Sequence, residues 1–356
     1  MKLIGLRLVA ALLALAPVTG SAQSAPVDYR IVTASERGTY IQIGRDLAKF
    51  VAPAAGIQLE ALPSAGSAEN VRRLRYEPNV KFALVQSDVY QAYLDLAAAG
   101  NPEARGLITP LRLILPLYNE EIYFVARRDA PFDSVHEIKD RRISMGPIGS
   151  GTALTAATLF RQLFGAAIPE SLAQFQSNED GLSKLVTDRS VDVVVIVAGQ
   201  PARVLADMKP EAKELVKLLK FDPSNPASQA ALKTYFNATV RAASYPNLLD
   251  ADLPSLAVKA FLVTYNYDQP TTQQYMTRFS RSLCENFGRL QAEGHPKWKE
   301  VKLEMPEVGR GWTYYPTTSR QIRSCRAGAV SPAAAPGAAP GRRTCTQQER
   351  ILGLCG

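Results

Sequence analysis

The chain has 356 residues, 46% of them hydrophobic, and carries 41 Lys and Arg against 33 Asp and Glu, a formal +8. Lys2 and Arg7 hold +2 of that charge and the stretch from Gln321 onward a net +4, which leaves +2 on the body. Nucleic-acid binding demands a concentrated basic face. Short clusters such as Arg72-Arg73-Arg75 and Lys139-Asp140-Arg141-Arg142 read as solvated surface instead, so no nucleic-acid partner is expected.

In chain order, the first element reads as an export signal. Lys2 and Arg7 make a basic start, Leu8–Ala16 is a short apolar run, and Gly20-Ser21-Ala22 offers a small-residue cleavage site. The run is too short to span a bilayer. No Cys follows it to carry a lipid, and no later segment is apolar enough to span. Residues 1–22 are therefore expected to be removed, leaving a soluble periplasmic protein long enough for two domains.

Strands and helices then alternate. Tyr29–Thr33, Ile57–Leu62 and Lys81–Val85 read as strands, with helices at Tyr40–Val51 and Ala68–Tyr76 between them. Such alternation predicts an α/β fold with a parallel sheet. Glu121–Arg127 reads as a longer strand. A second α/β region has a strand at Arg142–Met145, helices at Ala153–Phe164 and near Gly181–Val186, and a doubly buried strand at Val191–Val197. Leu256–Thr264 is another long strand, and helical patterns run to Glu293. Arg326–Thr344 is rich in Pro, Ala and Gly and lacks periodicity.

Three stretches place small polar groups where a strand gives way to a loop and helix, the usual ligand edge of an open α/β sheet. The first is Ser35–Tyr40, with Ser35, Gly38, Thr39 and Tyr40 as candidates. The second is Pro63–Asp88, in which Ser67 and Asn70 open a helix and Gln86 and Ser87 end a strand. Ser67 is a candidate N-cap as well as a candidate ligand contact. The third is Gly146–Leu163, where Ser150, Gly151 and Thr152 open an apolar-faced helix. Free N–H groups and the positive end of the helix dipole make a carboxylate the natural occupant there; plain capping by Ser150 or Thr152 is the other reading. Gly199 and Gln200 end the Val191–Val197 strand and are expected to supply the facing wall.

The runs GTYIQIGRDLA, GSAENVRRLR with FALVQSD, GPIGSGT and VDVVVIVAGQPA, in this order, resemble the TAXI family of periplasmic solute receptors, which serve tripartite TRAP-type transporters. The resemblance spans residues 28–320. It implies a two-lobed periplasmic-binding-protein fold, each lobe a mainly parallel sheet flanked by helices, with the ligand cleft between lobes. It also implies two long strands that cross as a hinge, so that domain I is 28–122 with 258–320 and domain II is 123–257. The partners would be a small organic acid or amino acid, such as glutamate or a dicarboxylate, and membrane-embedded TRAP subunits, with the receptor itself a monomer. The chain departs from the family in its first loop, where Glu36 and Arg37 stand before Gly38. These two charges pair with one another or face solvent; in a second reading Arg37 selects an anion or Glu36 an ammonium group.

Four cysteines, Cys284, Cys325, Cys345 and Cys355, allow three pairings. Export favours disulfides, and the Pro/Ala-rich linker, residues 321–344, separates a short tail, 345–356, from the body. Cys284–Cys325 and Cys345–Cys355 are therefore expected. Their spacing fits no zinc pattern, and no metal or cofactor is expected.

Catalytic constellations are missing. His136 and His295 follow no strand, and Ile148 and Thr152 stand where a nucleophile elbow needs glycine. Thr152 also occupies the position where a phosphate-binding loop needs lysine. Glu120 and Glu121 alternate in direction if they begin a strand, which makes a poor acid–base pair. A binding protein is expected. The alternatives are a receptor-fold sensor or envelope-associated protein uncoupled from transport, and an enzyme on the same scaffold.

Overall fold

The structure is a computed structural model that describes residues 25–309 and 311–328. Strands β1 (Val27–Val32), β2 (Ile57–Leu62) and β3 (Val80–Gln86) alternate with helices α1 (Thr39–Asp46) and α2 (Ser67–Tyr76). Helices α3 (Ser87–Ala98) and α4 (Pro102–Ile108) lead to the long strand β4 (Leu111–Arg127). A second unit holds β5 (Ile143–Ser144), α5 (Gly151–Phe164), β6 (Ala173–Gln174), α6 (Asn178–Val186) and β7 (Val193–Ala198). The short elements α7 (Arg203–Ala206), α8 (Ala212–Leu215), β8 (Val216–Leu218), α9 (Ser228–Ala231) and β9 (Phe236–Val240) follow. Strand β10 (Leu253–Tyr265) returns to the first unit, which α10 (Pro270–Glu285), α11 (Phe287–Glu293) and α12 (Pro316–Gly328) complete.

β4 and β10 decide the architecture. They pair antiparallel along most of their length, from Leu256 opposite Ile122 to Tyr265 opposite Leu111. One end of β10 pairs with β3 and the other with β9, while the far half of β4 pairs with β7 and β8. The two strands thus join both halves of the molecule into one sheet, ordered β2-β1-β3-β10-β4-β7-β5-β6. β1 is parallel to β2 and β3, and β5 is parallel to β6 and β7. The register shifts between Lys259 and Phe261, and Phe261 faces Pro116. A proline without an N–H is tolerated inside a sheet at such an irregularity. Pro116 also hides the first half of β4 from pattern reading, which starts the strand only at Glu121.

Each half of the sheet is covered on both faces. In the first half, Phe82 and Leu84 of β3 enter a core with Tyr40 and Ile43 of α1 and Phe279 of α10. Ala83 and Val85 enter a second core, with Val71 of α2, Tyr90 of α3 and Leu107 of α4. In the other half, Val193 and Val195 of β7 pack beneath Leu159 and Phe160 of α5, and Val194 and Ile196 pack on the opposite side with Leu185 and Leu205. The period of two along a strand gives each face its own core. The result is the expected α/β fold: two lobes, each a sheet between helical layers, with the long strands running through both.

Cys284 and Cys325 form a disulfide that ties α10 to α12. Residues 321–328, expected to begin a linker, are the end of α12. The signal peptide with its cleavage site, the rest of the linker (329–344) and the tail with Cys345 and Cys355 lie outside the described residues. Among the described residues no helix is long and apolar enough to cross a membrane. Trp312 packs against Tyr90 and Phe261, with ring centroids 4.8 Å from each.

Candidate functional site

The loops after β1, β2 and β5 meet where the two lobes face each other. Gly66, at φ 132°, precedes α2 in a conformation that an L side chain rarely adopts. A Cβ on it would lie 3.2 Å from the Cα of Ser150 in the other lobe, so backbone meets backbone here. The next N–H groups of α2, those of Ala68 and Glu69, both donate to the Gly149 carbonyl at 3.1 Å. Further contacts join the lobes. Thr39 Oγ1 donates to the Gly199 carbonyl at 3.2 Å, and buried Asp88 accepts from Thr155 Oγ1 at 2.6 Å and Tyr235 Oη at 3.1 Å.

Between these contacts lies a cavity of about 120 Å³. That is a small-molecule scale, since a dry engineered cavity of roughly 150 Å³ holds benzene. The first lobe contributes Ser35, Arg37, Gly38, Thr39, Tyr40, Ser64–Ser67, Gln86 and Glu120. The second contributes Pro147, Ser150–Thr152, Ser177–Glu179, the apolar Val197, Ala198, Ala202 and Val204, and Arg203.

The N-terminus of α5 forms one wall. Ser150 is its N-cap, and its Oγ accepts from the Ala153 N–H at 3.0 Å. The Gly151 and Thr152 N–H groups find no acceptor among the described residues. Gly151 has no room for a side chain, because a Cβ would stand 1.2 Å from Gln86 Oε1. Gln86 is fixed from below by Ser67, whose Oγ accepts from the Gln86 N–H at 3.1 Å and donates to Gln86 Oε1 at 3.3 Å. Ser67 is not the cap of α2; Gly66 holds that position.

Nine of the residues singled out in the sequence thus line the cavity: Ser35, Gly38, Thr39, Tyr40, Ser67, Gln86, Ser150, Gly151 and Thr152. Four do not. Asn70 is buried behind the wall, where its Nδ2 donates to the Thr33 and Leu84 carbonyls at 2.5 and 2.8 Å and its Oδ1 accepts from Ser64 Oγ at 2.6 Å. Ser87 begins α3 outside the cavity. Gly199 packs against Thr39, Lys297 and Tyr118. The Gln200 side chain turns to the second lobe, accepting from the Arg241 N–H at 2.6 Å and donating to the Thr239 carbonyl at 3.4 Å. Glu36 pairs with Arg45 at 2.5 Å rather than with Arg37, which reaches Asp207 of the other lobe at 3.6 Å.

The profile of the NMT1-like family matches residues 31–310. The chain belongs to the NMT1-like family. Among solved structures it is similar to the periplasmic binding protein BugD, at 13% identity over 86% of this chain and 95% of that one, with a TM-score of 0.48. It is similar to ArtJ of Geobacillus stearothermophilus, an arginine-, lysine- and histidine-binding protein, at 12% identity over 80% and 99%, with a TM-score of 0.46. It is also similar to the periplasmic aliphatic sulphonate binding protein SsuA of Escherichia coli, at 13% over 85% and 91%, with a TM-score of 0.43.

Two charged features of this NMT1-like chain take their meaning only from tertiary placement. One is Arg203, which brings a second guanidinium to the cavity beside Arg37. The other is the pair Glu120–Glu121, both buried where β4 passes between the lobes. Their side chains part as strand alternation requires. Glu121 is fully engaged: Lys297 Nζ donates to Oε1 at 2.8 Å and the Gln200 N–H donates to Oε2 at 2.8 Å. Glu120 lines the cavity, and its Oε2 has no hydrogen-bond partner among the described residues. The hydroxyls of Tyr40 and Tyr118 are buried and unpartnered in the same way. Burial, opposed by the nearby Tyr40 hydroxyl and by Lys297 and reinforced by the Glu121 charge, pushes the Glu120 carboxyl up to about 8. Burial and the nearby Glu120 charge push both phenols well above their ordinary value. The sequence signal was an acidic pair at a lobe crossing; only tertiary placement shows which of the two is left open.

Proposed function

We propose that this chain is an exported solute receptor of the TAXI type, which closes its two lobes over a small carboxylate and delivers it to a TRAP-type transporter in the membrane. The lobes of this reading are 28–122 with 258–320 and 123–257, and β4 and β10 are the hinge strands. The observation that carries it is the open α5 N-terminus, whose Gly151 and Thr152 N–H groups sit at a cavity with Arg37 and Arg203. Unengaged backbone donors at the positive end of a 14-residue helix stabilise an anionic group, and the arginines add long-range attraction. Ser35, Thr39, Ser67 and Gln86 supply hydroxyl and amide groups from the facing lobe. Because such a ligand touches both walls only when the lobes are together, it favours the closed form by population shift.

A thermal-shift screen of amino acids and organic acids tests the reading. A ligand present at 100 times its Kd stabilises by about 2.7 kcal/mol through mass action. Gln86→Ala should weaken a hit by about tenfold, the worth of one buried hydrogen bond. A screen in which only uncharged sugars or lipids stabilise the protein would overturn the reading.

A further inference from the structure

We propose that Glu120, flanked by Tyr40 and Tyr118, is the specificity subsite of the cavity and takes a protonated amine of the ligand. The inference rests on the reading of this cavity as the ligand site.

Two adjacent carboxylates on β4 have opposite surroundings. Glu121 has both oxygens occupied by donors of the protein. Glu120 is only 4% exposed yet belongs to the cavity lining, and its Oε2 completes no hydrogen bond among the described residues, although the Tyr40 hydroxyl lies close enough to oppose the rise of its carboxyl. Tyr40, on the same cavity wall, and Tyr118, behind it, carry buried hydroxyls in the same condition. Folding rarely leaves three buried polar atoms together without partners unless another group completes them. An ammonium offers three donors and no acceptor, which matches a carboxylate oxygen and a phenol oxygen. Elsewhere the lining offers the α5 N–H groups and the guanidinium groups of Arg37 and Arg203, which share Asp207 at 3.6 and 3.8 Å, as donors suited to an acid group; Glu179 is the other carboxylate residue of the lining. A cavity with donors on one side and acceptors on its floor fits a zwitterion better than a dicarboxylate.

The protonation of Glu120 gives this choice a measurable sign. The groups that bear on it are Tyr40 from α1, Asp88 from α3, Glu121 on β4, and Lys297 from the turn Pro296–Glu300. With burial dominant, Glu120 carries a proton at pH 6.5 before the ligand arrives. An amine that pairs with the ionised carboxylate sends that proton to solvent. Affinity for an amine-bearing ligand then rises, by up to about tenfold per pH unit, as pH approaches 8, and levels off above it. A ligand that placed a carboxylate there would need the proton to stay, and its affinity would fall as pH passes 8.

The experiment is calorimetric titration of the full chain with matched probes: L-glutamate against glutarate, L-alanine against propionate, and L-leucine against 4-methylpentanoate. The expected result is at least tenfold tighter binding of the best amino acid than of its deamino partner, with net proton release at pH 6.5. Glu120→Gln, which mimics the protonated state, should cost the amino acid about 10- to 100-fold and abolish proton release, while leaving the deamino acid within threefold. Tyr40→Phe should weaken the amino acid alone, by a smaller factor. Equal binding of amino and deamino probes, or equal loss of both in Glu120→Gln, overturns the inference and leaves the carboxylate reading standing. If no acid of either kind binds, both fall together.

Discussion

Two helix N-termini face each other across the cleft, and they begin from similar sequence, GSAEN at α2 and GSGTA at α5. Their donors are used differently. The Ala68 and Glu69 N–H groups of α2 are taken by the Gly149 carbonyl of the opposite lobe, so that terminus is a lobe-to-lobe contact. At α5 the Ser150 side chain caps Ala153, and the Gly151 and Thr152 N–H groups, of residues that line the cavity, find no acceptor among the described residues. Free donors at a helix start are a property of every helix. What they bind is decided by the loop that tertiary structure lays over them. One wall of the cleft therefore holds the lobes together, and in the proposed reading the other holds a ligand.

The largest expected effect breaks the two walls apart by stability. Asn70, in the first turn of α2, makes three buried hydrogen bonds within its own lobe and none across the cavity. Asn70→Ala leaves the Thr33 and Leu84 carbonyls and Ser64 short of a partner, at a cost of roughly 2–4 kcal/mol. Denaturant unfolding should show that loss. Ligand affinity of the folded protein should change by no more than about 0.5 kcal/mol. An unchanged denaturation midpoint together with a large loss of affinity would make Asn70 a ligand contact and erase the contrast.

That expected outcome also shows where sequence reading reaches and where it stops. The α/β alternation, the buried strand of β7 and the polar turns were legible, because periodicity and turn chemistry are local properties. The helix starts at Ser67 and Ser150 were legible as starts. The distinct fates of Ser67, Asn70 and Ser150 were not, because each depends on a partner far away in sequence: Gln86, the Thr33 and Leu84 carbonyls, and the cavity. β4 was half visible, since Pro116 interrupts a pattern that the bulge opposite Phe261 accommodates. Glu120 was visible only as half of an acidic pair, because its neighbour's engagement with Lys297 comes from a segment 176 residues away.

A smaller effect sharpens the comparison at the point where the walls touch. A Cβ at Gly151 would fall on Gln86 Oε1, and Gln86 cannot swing freely because Ser67 holds it. Gly151→Ala should therefore hinder lobe closure by about 1–3 kcal/mol, roughly a 5- to 150-fold loss of affinity, with little change in the folding of either lobe. In a Gln86→Ala background the same substitution should cost almost nothing, since the obstructing atoms are gone. Titration calorimetry on the four proteins of this cycle gives the coupling directly. Additive losses would mean that the two residues do not meet across the cleft.

The smallest expected effect separates capping from binding at α5 itself. Ser150 Oγ accepts from the Ala153 N–H at 3.0 Å, an interaction whose loss costs about 1 kcal/mol of stability. Its hydroxyl also lines the cavity, but the Gly151 and Thr152 N–H groups beside it remain when the side chain is cut back. Ser150→Ala should thus lower the melting temperature by a few degrees at most and weaken an acid ligand by no more than about tenfold. Ser150→Asp restores the cap acceptor, because Asp caps as well as Ser. It should return the melting temperature while placing a negative charge at the site of the ligand's acid group, so affinity should fall below that of Ser150→Ala. The two variants then order one way in stability and the opposite way in binding. If Ser150→Asp binds acids as tightly as Ser150→Ala, the α5 terminus is only a capped helix end, and the two walls of the cleft are alike.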